Sequence, residues 1–165
     1  MTAYTGPHLL QPHHDIDGFD CGDGSLNRWL RERARHNQNQ VASRTWVVTD
    51  GVAVAGYYAS SAAVVLRADA TKRAARNQPD PLPALLLGRL AVHIDHQSRG
   101  LGAALLKHFV LKSIEVAQLI GVRVLLVRAK DARAASFYQH HGFQPSPVDD
   151  LTLMAIMTDI GAPDP

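Results

Sequence analysis

Gln97-Ser98-Arg99-Gly100-Leu101-Gly102-Ala103-Ala104-Leu105-Leu106 is the stretch on which the fold of this chain turns. It follows an apolar run of strand length, residues 84–94, and it opens a longer segment in which Leu101, Leu105, Phe109 and Val116 mark one helical face. Gly100 and Gly102 let the backbone turn tightly and approach a ligand. The first N–H groups of a helix have no acceptor within it, so they can receive phosphate oxygens without a dedicated lysine. The position therefore predicts an anion site, although a GxG pair opening a helix is also the geometry of an ordinary helix start. Neither GxxxxGK[ST] nor a full GxGxxG is present, which disfavours a nucleoside-triphosphate loop and a dinucleotide fold.

Outward from this segment, the second half reads β-α-β-α. A helix is expected to run from the loop to Gly121, which closes it. Residues 122–129 (VRVLLVRA) form a β-branched strand, 131–142 a short helix ended by Gly142, and 151–158 (LTLMAIMT) a final strand. In the first half, Asp23 or Ser25 caps a helix with Leu26, Trp29 and Leu30 on one face, running to about Asn37. Residues 45–66 read as two strands around the turn signal Asp50-Gly51. Residues 70–83 are a polar loop preceded by one helical turn; Pro79, Pro81 and Pro83 keep it out of helices and central strands. The order implies an α/β fold with helices against a mixed sheet.

Composition bounds the reading. A chain of 165 residues, 46% hydrophobic, can bury one core without staples, since roughly 68–70% of its extended surface is removable. Cys21 is the only cysteine, which excludes a Cys-rich zinc knuckle and an internal disulfide framework. There is no basic start followed by a sustained apolar run and no apolar stretch of membrane-spanning length, so the expectation is a single domain over 1–165 in the cytoplasm. The formal charge of +2 hides a pattern: residues 28–44 carry Arg28, Arg31, Arg33, Arg35 and Arg44 against Glu32, for +4. Arg67, Lys72, Arg73 and Arg76 against Asp69 add +3, while residues 145–165 hold four aspartates and no Lys or Arg, for −4. Arginines at such spacings are either the solvated face of a helix or an anion-facing surface.

The ordered motifs resemble the GCN5-related N-acetyltransferase (GNAT) family, whose Q/R-x-x-G-x-G/A loop wraps the pyrophosphate of acetyl-CoA; here it is Gln97 to Gly102. Arg89-Leu90-Ala91-Val92 resembles the end of the central strand that pairs with the pantetheine arm. Phe137-Tyr138 before Gly142-Phe143 resembles the helix with a tyrosine near the thioester. Phe19-Asp20-Cys21-Gly22, Leu26-Asn27-Arg28-Trp29-Leu30 and Ala55-Gly56-Tyr57-Tyr58 extend the match over residues 9–157, leaving a short polar tail. Together they are similar to the toxin acetyltransferases of bacterial type II toxin–antitoxin modules.

The resemblance implies a central mixed, mostly antiparallel twisted sheet flanked by helices, with splayed central strands holding acetyl-CoA. Leu90, Ala91, Val92, Gln97, Ser98, Arg99, Gly100, Leu101, Gly102 and Ala103 would be its cofactor contacts, chiefly through backbone amides, with Gln97 holding the loop or reaching a phosphate. Tyr138 would be the general acid for the departing thiolate; a phenol of reference pKa about 10 keeps its proton near neutrality. Phe137 is expected in the core beside it. No side chain marks itself as a general base, and direct transfer in a ternary complex is implied. Nine histidines include the pairs His13-His14 and His140-His141, but no spacing completes a metal site, so none is expected.

The acceptor implied is aminoacyl-tRNA, acetylated on its α-amino group so that translation is blocked. Arg28, Arg31, Arg35, Lys72, Arg73, Arg76 and Arg89 are the substrate-binding candidates, since phosphate contacts supply affinity and salt dependence. A small-molecule amine acetyltransferase, or a non-enzymatic CoA-binding or nucleic-acid-binding regulator, are the competing readings. The resemblance also implies an antitoxin with a ribbon-helix-helix DNA-binding part, a homodimer, and no membrane partner.

Overall fold

Asp50 and Ala53 face each other across a tight turn in which Gly51 takes φ +63°, closing strands β2 (Arg44–Asp50) and β3 (Ala53–Val65) into the hairpin that the Asp-Gly pair predicts. In this computed structural model, which describes residues 3–160, seven strands are hydrogen-bonded in the order β1-β2-β3-β4-β5-β7-β6. The others are β1 (Tyr4–Leu9), β4 (Leu82–Val92), β5 (Val124–Arg128), β6 (Gln144–Ser146) and β7 (Asp149–Ile156). β4 and β5 run parallel, whereas β1/β2, β2/β3, β5/β7 and β6/β7 run antiparallel. The helices are α1 (Gly24–Glu32), α2 (Ala34–Asn39), α3 (Lys72–Ala75), α4 (Leu101–Ala117), α5 (Ala132–His140) and α6 (Met157–Ile160).

The chain divides into two compact units. One takes the chain up to Ser61 together with Arg89–Phe109; the other takes Ala62–Gly88 and the chain from Val110 onward. The first is packed around Phe19, Trp29, Leu30, Val47, Tyr57 and Ala91, all buried. The second is packed around Leu82, Ala84, Val124, Leu126, Met154 and Ile156. Side chains of this size contribute about 1.5–3 kcal/mol each when removed from water.

Three expectations are corrected. The helix from Asp23 does not run unbroken to Asn37: Arg33, at φ −120°, separates α1 from α2, and the new direction buries Ala34 completely. Asp23 is the cap, accepting from the amides of Ser25 and Leu26. Pro83 lies inside β4 rather than outside any strand; it is the second residue, its carbonyl accepts from Arg123 N–H at 2.9 Å, and the β5 register begins one residue later at Ala84. α4 ends at Ala117, four residues before Gly121, with the amides of Leu119 and Ile120 folded back onto the Val116 carbonyl. Strands β1 and β6 and helix α6 were not foreseen at all. The end of the acidic tail, residues 161–165, lies outside the described residues.

Candidate active site

β4 is eleven residues long and β5 only five, and their parallel register runs from Ala84↔Val124 to Leu87↔Val127. Leu90, Ala91 and Val92 therefore lie past the last of these pairs. Their position is set from the β3 side. The amide of His93 donates to the Ala55 carbonyl at 2.8 Å, and a Cβ on Gly56 would stand 3.3 Å from the Ala91 carbonyl oxygen and 3.1 Å from Leu105 Cδ1. The glycine in Ala55-Gly56-Tyr57-Tyr58 is thus a close-approach position, bringing the tip of β4 and the first turns of α4 against β3.

From that tip the chain passes through a 3-10 turn at Ile94–His96 into the loop. Ser98 and Gly100 both adopt positive φ, +63° and +82°, flanking Arg99. Alternating left-handed residues turn successive N–H groups toward one side, the geometry of an anion nest. Gly100 accepts the first α4 bond from Ala104 N–H at 3.0 Å, so Leu101, Gly102 and Ala103 are first-turn residues, whose amides have no acceptor within the helix. The donor set fits a pyrophosphate. Gln97 resolves to the holding role: its Nε2 donates to the carbonyls of Val92 at 3.0 Å and Cys21 at 3.2 Å, tying the loop to the strand tip.

The Cys21 end of that tie is built by residues first noted only as family letters. Asn27 Oδ1 accepts from Cys21 N–H at 2.8 Å while its Nδ2 donates to Asp20 Oδ1 at 3.0 Å. Asp20 also accepts from Gly22 N–H, and that bond, followed by Asn27, holds its carboxyl below the usual range. The Ile94 amide donates to the Asp20 carbonyl. Asp20 and Asn27 are positioning residues for the loop; their polarity beside apolar Leu26 and Trp29 was the available signal. Cys21 itself is buried.

Arg89, half-buried, places its guanidinium carbon 4.5 Å from the Trp29 ring centroid, and Trp29 stacks on Tyr57 at 6.1 Å and 10°. Burial lowers the Arg89 pKa from its ordinary value. Trp29 is therefore packed in the core with a cation on its face. Arg31 donates to the Phe19 carbonyl, and Arg35 Nη2 donates to the carbonyls of Gln11, Pro12 and His14. Arg28, Arg33, Lys72 and Arg76 are exposed. Arg73 forms a two-pronged pair with Asp159, its Nη2 2.6 Å from Oδ1.

Tyr138, on α5, is 3% exposed, with Phe137 and Phe143 edge-on to it at 5.3 and 6.0 Å. The expected depths are reversed: Phe137 is half-buried and Tyr138 is in the core. Burial raises the Tyr138 pKa above that of a free phenol, so it carries its proton throughout the neutral range. His93 accepts from Asp95 N–H and approaches the Gly18 carbonyl, and His108 meets the Tyr58 hydroxyl at 2.6 Å; both are structural partners. His13 and His14 do converge, with ring centroids 4.3 Å apart beside His8 on a cleft of about 470 Å³. Among the described residues no group of His, Cys, Asp and Glu is arranged to hold a metal ion.

A strand tip that runs past its parallel register feeds an amide-rich turn at the head of a helix, an arrangement suited to an extended ligand with an anionic end. Residues 41–145 match the family described as Acetyltransferase (GNAT) domain. The tRNA-acetylating toxin of Mycobacterium tuberculosis is 41% identical over 162 residues, covering 98% of each chain. AtaT complexed with acetyl-methionyl-tRNAfMet matches with a TM-score of 0.86 at 25% identity over 97% of each chain. AtaTR bound with AcCoA matches at 0.78 and 26% identity, over 92% of this chain and 93% of that one. This chain belongs to the GNAT acetyltransferase family.

Proposed function

We infer that this protein is the toxin of a toxin–antitoxin pair, an enzyme that moves the acetyl group of acetyl-CoA onto the α-amino group of aminoacyl-tRNA. The observation that carries the reading is the loop from Gln97 to Ala103, built for a pyrophosphate, in a chain similar over nearly its whole length to a tRNA-acetylating toxin. Acetyl-CoA supplies an activated thioester. The amides of Leu101, Gly102 and Ala103 hold its phosphates, and the strand tip Leu90-Ala91-Val92 pairs with the pantetheine arm and faces negative charge developing on the acetyl oxygen. As the amine forms its C–N bond and the C–S bond breaks, Tyr138 donates its proton to the sulfur. Water takes the proton lost by nitrogen and solvent returns one to the Tyr138 oxygen; an α-amino group of pKa near 7.7–8.0 is substantially neutral at pH 7–8 and needs no dedicated base.

Arg28, Lys72, Arg76 and Arg89 contact RNA phosphates. Arg31 and Arg35 add to the field from positions already engaged, and Arg73 joins the RNA contacts when it is released from Asp159. The antitoxin carries a ribbon-helix-helix DNA-binding part, and the toxin pairs as a homodimer in the cytoplasm. Incubation with labelled acetyl-CoA and charged or uncharged total tRNA tests the reading. Label is expected on the amino acid of charged tRNA only; transfer confined to small amines would overturn it.

A further inference from the structure

The strand that sequence analysis missed carries a residue into the cofactor loop. β1 pairs with β2 through Tyr4↔Asp50 and Thr5↔Thr49, which fixes the Tyr4 backbone at the edge of the sheet. From there its hydroxyl reaches across more than ninety residues of chain to two loop side chains. Arg99 Nη1 donates to the Tyr4 oxygen at 3.0 Å, and the Tyr4 hydroxyl lies 2.8 Å from His96 Nδ1. The Tyr4 ring also stands edge-on to the His96 ring, with centroids 5.4 Å apart. The phenol oxygen thus accepts from the guanidinium and shares a second hydrogen bond with His96 Nδ1, so that one hydroxyl joins both side chains.

Arg99 stands between the two left-handed residues and one position before the α4 cap. A flexible, exposed arginine there would spend most conformers away from any given phosphate. A phenol restrains it without adding a charge of its own, whereas a carboxylate at the same place would help to neutralise it. Restraint matters because immobilising a rotamer-rich side chain is part of the cost of binding. We propose that Tyr4, backed by His96, is a positioning residue that pre-orients the Arg99 guanidinium for a phosphate of the nucleotide half of acetyl-CoA. The inference rests on the acetyl-CoA reading of the loop and is independent of the acceptor.

Tyr4→Phe removes the hydroxyl and keeps the ring against His96. Calorimetric titration with CoA is expected to show affinity reduced about 3–10-fold, with kcat at saturating acetyl-CoA within about twofold. Arg99→Ala is expected to weaken CoA at least as much, and Tyr4→Phe combined with Arg99→Ala no further than Arg99→Ala alone. Acetyl-pantetheine, which has the thioester but no nucleotide, should be used equally well by the wild type and Tyr4→Phe. An unchanged CoA affinity, additive losses in the double variant, or an equal defect with acetyl-pantetheine would each overturn the proposal. If CoA binds as described but only small amines are acetylated, the tRNA reading fails while this one stands; absence of CoA binding by the wild type overturns both.

Discussion

In α1 and α2 the arginines that form bonds give them to carbonyl oxygens, as Arg31 does to Phe19 and Arg35 to Gln11, Pro12 and His14, whereas in the segment around α3 Arg73 gives both its prongs to the carboxylate of Asp159. The two segments look alike in composition. A carbonyl satisfies a guanidinium's donors and leaves its charge in the field; a carboxylate satisfies the donors and cancels the charge. The first segment thus organises a loop and stays electropositive, while the second loses part of its +3 to the acidic tail. The same contrast runs through the two units: the first holds the loop with polar ties to backbone, and the second buries Tyr138, the proposed proton donor.

Tyr138→Phe tests that division most severely. Turnover is expected to fall about 10²–10⁴-fold, with CoA affinity by calorimetry within about twofold; lost binding with normal saturated turnover would break the assignment. Gly100→Val acts on the other unit. Although a Cβ there would meet no atom within 4 Å, the φ of +82° strains a β-branched residue by about 1–3 kcal/mol. CoA affinity should drop roughly tenfold while saturated turnover survives. Arg35→Ala removes the clamp on three carbonyls and should cost about 1–2 kcal/mol in chemical denaturation, whereas exposed Arg28→Ala should leave the denaturation midpoint unchanged and weaken tRNA binding. Equal midpoints for the two variants would erase the distinction between clamping and solvated arginines. Asp159→Asn should have the smallest effect, freeing the Arg73 charge and steepening the salt dependence of tRNA binding by about one phosphate contact. An unchanged slope would place Arg73 away from the RNA.

The loop, the Asp50-Gly51 hairpin and the α5 helix from its Asp131 cap to Gly142 were legible because each is specified by local chemistry: φ requirements, caps and periodicity. β1 was not, since Gly6 and Pro7 contradict strand propensity; an edge position with a register shift between Thr5 and His8 accommodates them. The break at Arg33 has no local marker. It is imposed by tertiary bonds: Gln38 on α2 donates to the Leu10 carbonyl and accepts from Thr45 N–H. The roles of Arg31, Arg35 and Arg73 were hidden for the same reason, because composition counts charges and cannot see which oxygen receives them. Asp20 and Asn27 stood in a recognised motif without a stated purpose until their bonds to the Cys21 turn were seen.

The unequal lengths of β4 and β5 bear on association as well as on the proposed site. A strand end that outlasts its neighbour's ladder is a template for any extended chain, and another copy of the protein is one such chain. In the proposed complex the pantetheine arm, with two amides of its own, would compete for that template. Saturation at a hundred times the dissociation constant adds about 2.7 kcal/mol to the native state. On the proposed reading acetyl-CoA would then act twice, as reactant and as cover, and its addition is expected to lower self-association measured by light scattering.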